Sequence, residues 1–161
     1  LEEGVKMPQY ETEGAVGFDL SVNKVLKVFK GDVEETEKLP IIQESFLERG
    51  YIKMRPFERF LFGTGIKMVI PKGYELQVRP RSGTSLKKGV TISNAPGTVD
   101  PDYRGEVGII ITNNTPFLNT IMLNSKLAQG VIKETTRLPF VEGKVEEDTE
   151  RGSGGYGSTG N

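Results

Sequence analysis

The chain has 161 residues, with 21 basic and 22 acidic side chains and a formal net charge of −1. This balance argues against a nucleic-acid coat protein and against a protein of anionic membrane surfaces, because both need a basic excess. The absence of cysteine and histidine from the sequence excludes disulfides, thiol catalysis and imidazole chemistry. Any chemistry therefore depends on carboxylates, hydroxyls, amides, Lys or Arg side chains and bound ions.

The length predicts one domain, or two at most. No apolar run approaches the roughly 18 residues of a membrane-spanning helix, so we expect no membrane span. The acidic start Leu1-Glu2-Glu3 is not that of a secretory signal, which opens on basic residues. We therefore expect a cytoplasmic protein.

Glycine is abundant, with 20 residues, and it punctuates short apolar runs in the way that is typical of many short strands. The alternating residues Phe60–Ile70, the turn Pro71-Lys72-Gly73 and the segment Tyr74–Arg79 predict a hairpin. Four further strands are predicted, at Val22–Phe29, Val107–Thr112, Ile121–Leu123 and Leu127–Ile132. This spacing favours an all-β antiparallel sandwich, barrel or jelly roll.

Helical signals are few. Ile42 and Phe46 lie four residues apart, after a proline and before Gly50, which predicts a short helix over residues 41–49. Residues Ser82–Lys88 are long enough for one or two helical turns. The acid-rich segment Lys30–Lys38 is expected to be an exposed loop rather than a site.

Polar side chains and backbone-permissive residues occur together in five segments. In the first, Gly14–Leu20, Asp19 is placed to accept bonds from backbone N–H groups; an ordinary turn aspartate is the alternative. In the second, Pro80–Ser85, Arg81 offers a bidentate guanidinium and a serine offers a hydroxyl, while a glycine lets N–H groups face an anion. A solvated turn after a strand is the alternative here.

The third segment, Asn94–Gly105, is the densest in polar groups. Asp100 and Asp102 could serve as one base and one structural partner, although a calcium-like or simple turn loop has a similar composition. In the fourth, Lys126–Ile132, Gln129 interrupts an apolar strand and needs a partner. The fifth is the tail, Arg151–Gly160. Its composition is that of a disordered end, yet an arginine and a tyrosine among glycines also fit a phosphate clamp.

In this order, the five segments resemble the five motifs of the trimeric deoxyuridine triphosphatases (dUTPases), and the resemblance covers residues 14–160. It implies a jelly-roll-like distorted barrel of short, mostly antiparallel strands with at most one or two short helices. It also implies a homotrimer with active sites at subunit interfaces. The implied activity is that of a dUTP diphosphatase, which hydrolyses dUTP to dUMP and pyrophosphate with Mg²⁺ and so keeps uracil out of DNA.

The resemblance also assigns roles. Asp100 matches the carboxylate that activates the attacking water, and Tyr103 matches the ring beneath the deoxyribose. Asp19 and Asp102 match structural or supporting carboxylates. Mg²⁺ is expected to be held by the substrate phosphates and water, with no protein ligand. The remaining matches are substrate-binding: Asn94, Gly97, Thr98 and Val99 for uracil, Arg81, Ser82, Gly83 and Gln129 for phosphate, and Arg151, Tyr156, Gly157, Ser158 and Thr159 in the tail.

On this basis residues 1–144 are expected to form the β core, with an insertion at about residues 30–50, and residues 145–161 a flexible linker and a Gly-rich active-site arm. The segment Lys30–Leu47 is a candidate contact surface for a protein partner. No DNA or RNA partner is expected. The chain starts without a methionine and after the position of the family's first strand, so we expect that strand to be missing.

Two alternatives remain open. Deoxycytidine triphosphate deaminases share the expected fold, but they need a glutamate on the strand after the aspartate turn, and Val107–Thr112 carries no acid. They also usually carry a hydroxyl residue where this chain has Gly83. The second alternative is a nucleotide-sensing or protein-binding module without turnover, against which the intact Asp100, Gln129 and tail argue. A pyrophosphate-release assay with dUTP separates these hypotheses.

Overall fold

The computed structural model of the chain describes residues 1–146 and 149–155. This part forms eleven strands and two short helices. The helices are α1 (Leu39–Arg49) and α2 (Ser82–Lys88). The strands are β1 (Phe18–Ser21), β2 (Lys24–Lys30), β3 (Val33–Glu34), β4 (Tyr51–Met54), β5 (Glu58–Gly63), β6 (Tyr74–Pro80), β7 (Val90–Ile92), β8 (Gly97–Val99), β9 (Gly108–Asn113), β10 (Asn119–Met122) and β11 (Lys126–Glu134).

Two sheets dominate the structure. The four-stranded sheet has the order β1-β11-β6-β8, the five-stranded sheet has the order β3-β2-β5-β9-β7, and β10 pairs with β4 separately. All of these pairings are antiparallel. One buried apolar cluster includes Leu20 and Leu76 from the first sheet and Phe62 and Ile109 from the second. The two sheets therefore share a single core, and the all-β prediction is confirmed.

The predicted hairpin of Phe60–Ile70 with Tyr74–Arg79 is wrong. The strand β5 pairs with β2 and β9, whereas β6 pairs with β11 and β8 in the other sheet. Shortly after β5 ends, Gly65 takes a φ of +68°, a left-handed conformation that suits glycine. Ile66 and Ile70 are buried in the segment that crosses between the sheets. The apolar alternation at residues 64–70 therefore reflects the burial of side chains where the chain crosses between the sheets, and not a strand.

The predicted helices are both present. Helix α1 starts two residues earlier than predicted, with a proline in its first turn, where the missing N–H is tolerated. It ends at Gly50, whose φ is +72° and whose N–H bonds to the Phe46 carbonyl. Phe46 is fully buried, and its ring centroid lies 6.0 Å from that of Phe62. The segment around α1 therefore contributes to the core.

The four remaining predicted strands correspond to β2, β9, β10 and β11, with ends that differ by one or two residues. The acid-rich segment Lys30–Lys38 is not a plain loop, because β3 pairs with the end of β2 to form a small and largely exposed hairpin. Within residues 1–146 and 149–155, no helix has the length and apolar character needed to cross a bilayer.

Candidate active site

The middle of the four-stranded sheet holds Gln129. On β11 it stands opposite Asp19 of β1 and opposite Arg79 of β6. Its amide Nε2 donates to the Pro80 carbonyl oxygen at 2.9 Å, which gives the predicted inward polar side chain its partner. A Cβ on Gly17 would lie 2.6 Å from Gln129 Oε1, so the glycine leaves the space that the amide fills.

Beside Gln129, two cations flank the carboxylate of Asp19. Arg81 Nε lies 2.7 Å from Asp19 Oδ1, and Lys126 Nζ lies 2.8 Å from Oδ2. Arg81 also donates through Nη1 to the Lys126 carbonyl oxygen at 3.0 Å. The Asp19 side chain is only 16% exposed, and the Arg81 side chain is 35% exposed. A guanidinium has five N–H donors. Two of them are used in these contacts with described residues, so the others can bind an anion.

Lys126 stays positively charged in this cluster. Its hydrogen bonds to Asp19 and to Glu11, whose Oε1 lies 2.6 Å from the ammonium nitrogen, raise the pKa of Lys126 above its usual value. The cluster of Asp19, Arg81, Lys126 and Glu11 therefore contains two positive and two negative groups at neutral pH.

Helix α2 follows Arg81 directly. Ser82 and Gly83 are exposed at its start, and the N-cap residue Arg81 makes no side-chain bond to the first turn with any described group. The first N–H groups of a helix have no partner within the helix. A Cβ on Gly83 would meet no atom of the described residues within 4 Å, so their packing does not require a glycine there.

The residues expected to bind uracil lie on β8 and just before it. Among the described strands, β8 is the outer one of its sheet and pairs with β6 on one side only. An edge strand has backbone N–H and C=O groups that can pair with something else. A Cβ on Gly97 would lie 3.2 Å from Asn94 Nδ2, so the glycine allows the amide of Asn94 to pack against β8. Thr98 is exposed and Val99 is half-buried.

The loop after β8 carries both candidate carboxylates. Tyr103 N donates to the Asp100 carbonyl oxygen at 3.1 Å. Arg104 Nη1 donates to the carbonyl oxygens of Pro101, at 2.7 Å, and Tyr103, at 2.9 Å. These contacts fix the backbone of the loop, while the side chains of Asp100 and Asp102 are exposed. The loop therefore presents two carboxylates to solvent from a constrained backbone.

The structure of one chain does not bring the two halves of the predicted site together. The strands β6 and β8 are antiparallel, with Val99 opposite Leu76, so Asp100 lies near the level of Glu75. Arg81 follows six residues further along the direction of β6, which corresponds to roughly 20 Å at about 3.3 Å per residue. The phosphate-binding candidates and the candidate base are therefore at opposite ends of the sheet.

The tail is described only in part. Arg151 is exposed, and its Nε donates to the Gly154 carbonyl oxygen at 3.0 Å. The other predicted tail residues, Tyr156, Gly157, Ser158 and Thr159, lie outside the described residues.

Acidic side chains that could bind a metal ion are scattered over the described part of the chain. Over the described ranges, no three acidic side chains come together as a metal site. Asp19 is already engaged by two cations. This donor set fits a divalent ion that arrives on a polyphosphate, because the described cations can bind the phosphates while the phosphates and water bind the ion.

Some residues that organise the site were missed or left without a role in the sequence analysis. Arg104 follows the predicted Tyr103 directly, Glu106 comes two residues later, and Lys126 begins the fourth segment, so their positions alone could have drawn attention. Glu11 has no local signal, because only the fold brings it to Lys126.

Comparisons with known proteins agree on one family. A family model described as dUTPase matches residues 47–160. The deoxyuridine 5'-triphosphate nucleotidohydrolase of Fusobacterium nucleatum is 42% identical over 159 residues, which cover 99% of this chain and 92% of the relative. The protein of the same name from Hydrogenobaculum is 40% identical over 160 residues, covering 99% and 94% of the two chains.

Solved structures show the same fold. A structure of a Staphylococcus bacteriophage 80alpha dUTPase mutant with dUpNHpp has a TM-score of 0.70 and 23% identity, and the match covers 100% of this chain and 95% of that one. A mutant dUTPase from phage phi11 of S. aureus, described with a structural Mg(II) ion, has a TM-score of 0.66 and 21% identity, with 91% and 95% covered.

Proposed function

The chain belongs to the dUTPase family, which makes it a dUTP diphosphatase, and we propose how its residues hydrolyse dUTP to dUMP and pyrophosphate. A water molecule attacks the α-phosphorus, and Asp100 accepts its proton. The observation that carries this assignment is the exposed carboxylate of Asp100 on a constrained loop at the end of an edge strand. A positioned general base contributes typically about 10²–10⁴-fold to a rate. The chain has no histidine that could take this role instead.

The phosphates bind at the Asp19 end of the sheet. Arg81 supplies charge-assisted bonds, and Asp19 orients its guanidinium through the 2.7 Å contact. Ser82 and Gly83 offer a hydroxyl and backbone N–H groups at the start of α2. Gln129 donates one N–H of its amide to the Pro80 carbonyl oxygen, and the second N–H of the same group can bond to a phosphate oxygen. This arrangement supplies cationic and neutral donors to the same anion.

The nucleoside binds at β8. Backbone groups of Gly97, Thr98 and Val99 on the open side of this edge strand pair with uracil, and the amide of Asn94 adds a further polar contact. The ring of Tyr103 packs beneath the deoxyribose, where a ribose 2′-hydroxyl would collide with it. This pocket favours dUTP over UTP, and its backbone lining leaves no room for the 5-methyl group of dTTP.

A complete site needs more than one copy of the chain. The roughly 20 Å between the levels of Asp100 and Arg81, estimated from strand geometry, exceeds what one triphosphate group can span. Copies arranged around a rotation axis can place the Asp100 end of one sheet beside the Arg81 end of the next. The resemblance to the trimeric dUTPases implies three copies, so we propose a homotrimer in which each site combines β8 of one copy with the Arg81 region of another.

Mg²⁺ would enter on the triphosphate, and when bound it neutralises part of the phosphate charge. The residues Arg151–Asn161 then close over the nucleotide, with Arg151 at the γ-phosphate and Tyr156 on the uracil ring. Closure of this arm would exclude water from the α-phosphorus, as lids do in other enzymes.

Steady-state pyrophosphate release with dUTP, UTP, dCTP and dTTP tests this function. The parent should turn over dUTP with strong preference, and Asp100→Asn should bind dUTP but lose at least about a hundredfold in kcat, because an amide cannot accept the proton. Asp32→Asn, in the exposed β2–β3 turn, is the matched control and should behave as the parent. Turnover of Asp100→Asn within about tenfold of the parent would remove Asp100 from the role of base.

The same nucleotides, with binding and ammonia release measured as well as pyrophosphate release, separate the alternatives. Binding of dUTP without pyrophosphate release would favour a nucleotide-sensing module, and ammonia release from dCTP would favour a deaminase. The strand β9, Gly108–Asn113, carries no acidic residue, which argues against the second outcome.

A further inference from the structure

We propose that Glu106 is a positioning residue that fixes the ring of Tyr103 and thereby sets the selectivity for deoxyribose over ribose. The proposal rests on the role of Tyr103 beneath the sugar that is proposed above. Glu106 itself is not expected to touch the nucleotide.

The ring of Tyr103 depends on the backbone of Glu106. Tyr103 is 46% exposed, so core packing does not hold its ring. Its hydroxyl donates to the Glu106 carbonyl oxygen at 2.9 Å. The ring lies across Gly105, where an added Cβ would overlap the hydroxyl and the ring carbons. The position of the ring is therefore set by one hydrogen bond and by a glycine that lets the ring approach the backbone.

The carboxylate of Glu106 in turn anchors this piece of backbone. Oε1 accepts a bond from Gly65 N at 2.6 Å, and Oε2 lies 2.9 Å from Lys24 Nζ. The Glu106 side chain is only 15% exposed. The next residue, Val107, donates its N–H to the Ile66 carbonyl oxygen at 2.8 Å. These contacts tie the end of the Tyr103 loop to the chain segment that crosses between the two sheets.

The surroundings are shaped to hold this carboxylate. A Cβ on Gly63 would lie 2.5 Å from Glu106 Oε1 and 2.7 Å from Lys24 Cε, so a side chain at this position would displace the pair as it stands. Lys24 also pairs with Glu2. A carboxylate can accept a backbone N–H bond and pair with an ammonium group at the same time. The amide of a glutamine could keep the backbone bond through its oxygen, but its NH₂ group would then face the ammonium group, and two donors cannot pair.

These contacts predict a graded loss of selectivity. In Glu106→Ala, Gly65 N–H loses its acceptor and the loop backbone can shift, which releases the Tyr103 ring and opens space for a 2′-hydroxyl. One hydrogen bond is worth roughly two- to tenfold in an equilibrium, so the ratio of kcat/KM for dUTP to that for UTP should fall about tenfold. Glu106→Gln keeps the bond to Gly65 N–H, so its ratio of kcat/KM values should fall only about threefold on the same basis.

Tyr103→Phe tests the same link from the other side. It removes the hydroxyl that bonds to the Glu106 carbonyl, so its ratio should fall about as far as that of Glu106→Ala. In the double variant Tyr103→Phe/Glu106→Ala, the ratio should fall no further than in either single variant, because both changes disrupt the same interaction between the Tyr103 ring and the backbone of Glu106.

The experiment measures kcat/KM for dUTP and for UTP, together with the thermal midpoint, for the parent and these variants. Glu34→Ala is the matched control. It removes a glutamate that pairs with Lys27 at 3.3 Å on the β2–β3 hairpin, and its ratio should equal that of the parent.

A lower ratio in Glu106→Ala and in Tyr103→Phe, with Glu106→Gln between them and the parent, supports the proposal. Equal losses of kcat/KM for both nucleotides, with a lower thermal midpoint and an unchanged ratio, would show a purely structural role and overturn it. If Glu106→Ala does not fold, an unchanged ratio in both Glu106→Gln and Tyr103→Phe overturns it. A parent that does not hydrolyse dUTP, or does not discriminate against UTP, refutes the proposed function as well, so the two failures are distinguishable.

Discussion

Replacing Arg81 by lysine examines whether a forked guanidinium is needed at the phosphate end of the sheet. In the structure, Arg81 uses Nε for Asp19, at 2.7 Å, and Nη1 for the Lys126 carbonyl, at 3.0 Å. Its remaining donors can still bind phosphate. A lysine ammonium is a single point charge and cannot satisfy the carboxylate and a phosphate in the same fork geometry.

The magnitude follows from the number of bonds lost. At least one charge-assisted hydrogen bond to phosphate disappears, and such bonds contribute about 1.5–3 kcal/mol. Since about 1.4 kcal/mol corresponds to a tenfold change in rate, kcat/KM for dUTP should fall about ten- to a hundredfold in Arg81→Lys. The thermal midpoint should change little, because exposed or partly exposed ion pairs contribute roughly 0–1 kcal/mol to stability.

Pyrophosphate release at several dUTP concentrations, with the thermal midpoint measured alongside, gives both quantities. Arg59→Lys is the control, since Arg59 donates to the Gly31 carbonyl at 3.2 Å and stacks on Phe29 in the other sheet. A kcat/KM for Arg81→Lys within about threefold of the parent, below the contribution of one charged hydrogen bond, would refute the assignment of Arg81 to phosphate.

Changes in three other regions of the chain have defined outcomes. Asn113→Ala should lower the free energy of unfolding by about 1–3 kcal/mol in urea titrations, because the buried amide bonds to backbone and side-chain groups on both its oxygen and its nitrogen; wild-type stability would contradict this. Deletion of residues 151–161 should lower kcat severely but leave the oligomeric state unchanged, and Tyr156→Phe should be nearly silent where Tyr156→Ala is not; full activity of the truncated protein would exclude a lid. Bonding to Lys24 lowers the pKa of Glu2, so its stabilising contribution is complete above the ordinary glutamate pKa and disappears as the pH falls through the lower folded value. Glu2→Gln should therefore flatten the acid limb of a thermal-midpoint profile, and an unchanged limb would exclude this contribution.

The sequence predicted the structure best in segments whose conformation depends on their own residues. The helix before Gly50 was predicted from spacing and punctuation, and β9 and β11 were predicted from β-branched and apolar runs. The conformations of these segments depend mainly on the residues within them. The motif segments were found for a related reason, because Asp19, Arg81 and Gln129 stand beside small residues in short local patterns that the sequence shows directly.

The sequence was least informative where distant segments meet. Alternation at residues 60–70 could not distinguish a strand from a chain that crosses the core, because both bury every second side chain. The contact of Glu11 with Lys126 joins residues 115 positions apart, and no local pattern marks it. The separation of Asp100 from Arg81 follows from the register of β8 on β6, which only the folded sheet defines.

Complementation between two inactive variants tests most directly whether each active site combines residues from two copies of the chain. Asp100→Asn and Arg81→Ala should each be nearly inactive alone. If each site takes Asp100 from one copy and Arg81 from another, trimers that assemble at random from equal amounts of the two variants should contain both intact residues in about a quarter of their sites. Pyrophosphate release from dUTP should then recover to about that fraction of the parent rate after the variants are unfolded and refolded together. No recovery above the sum of the separate variants would contradict a site shared between copies of the chain.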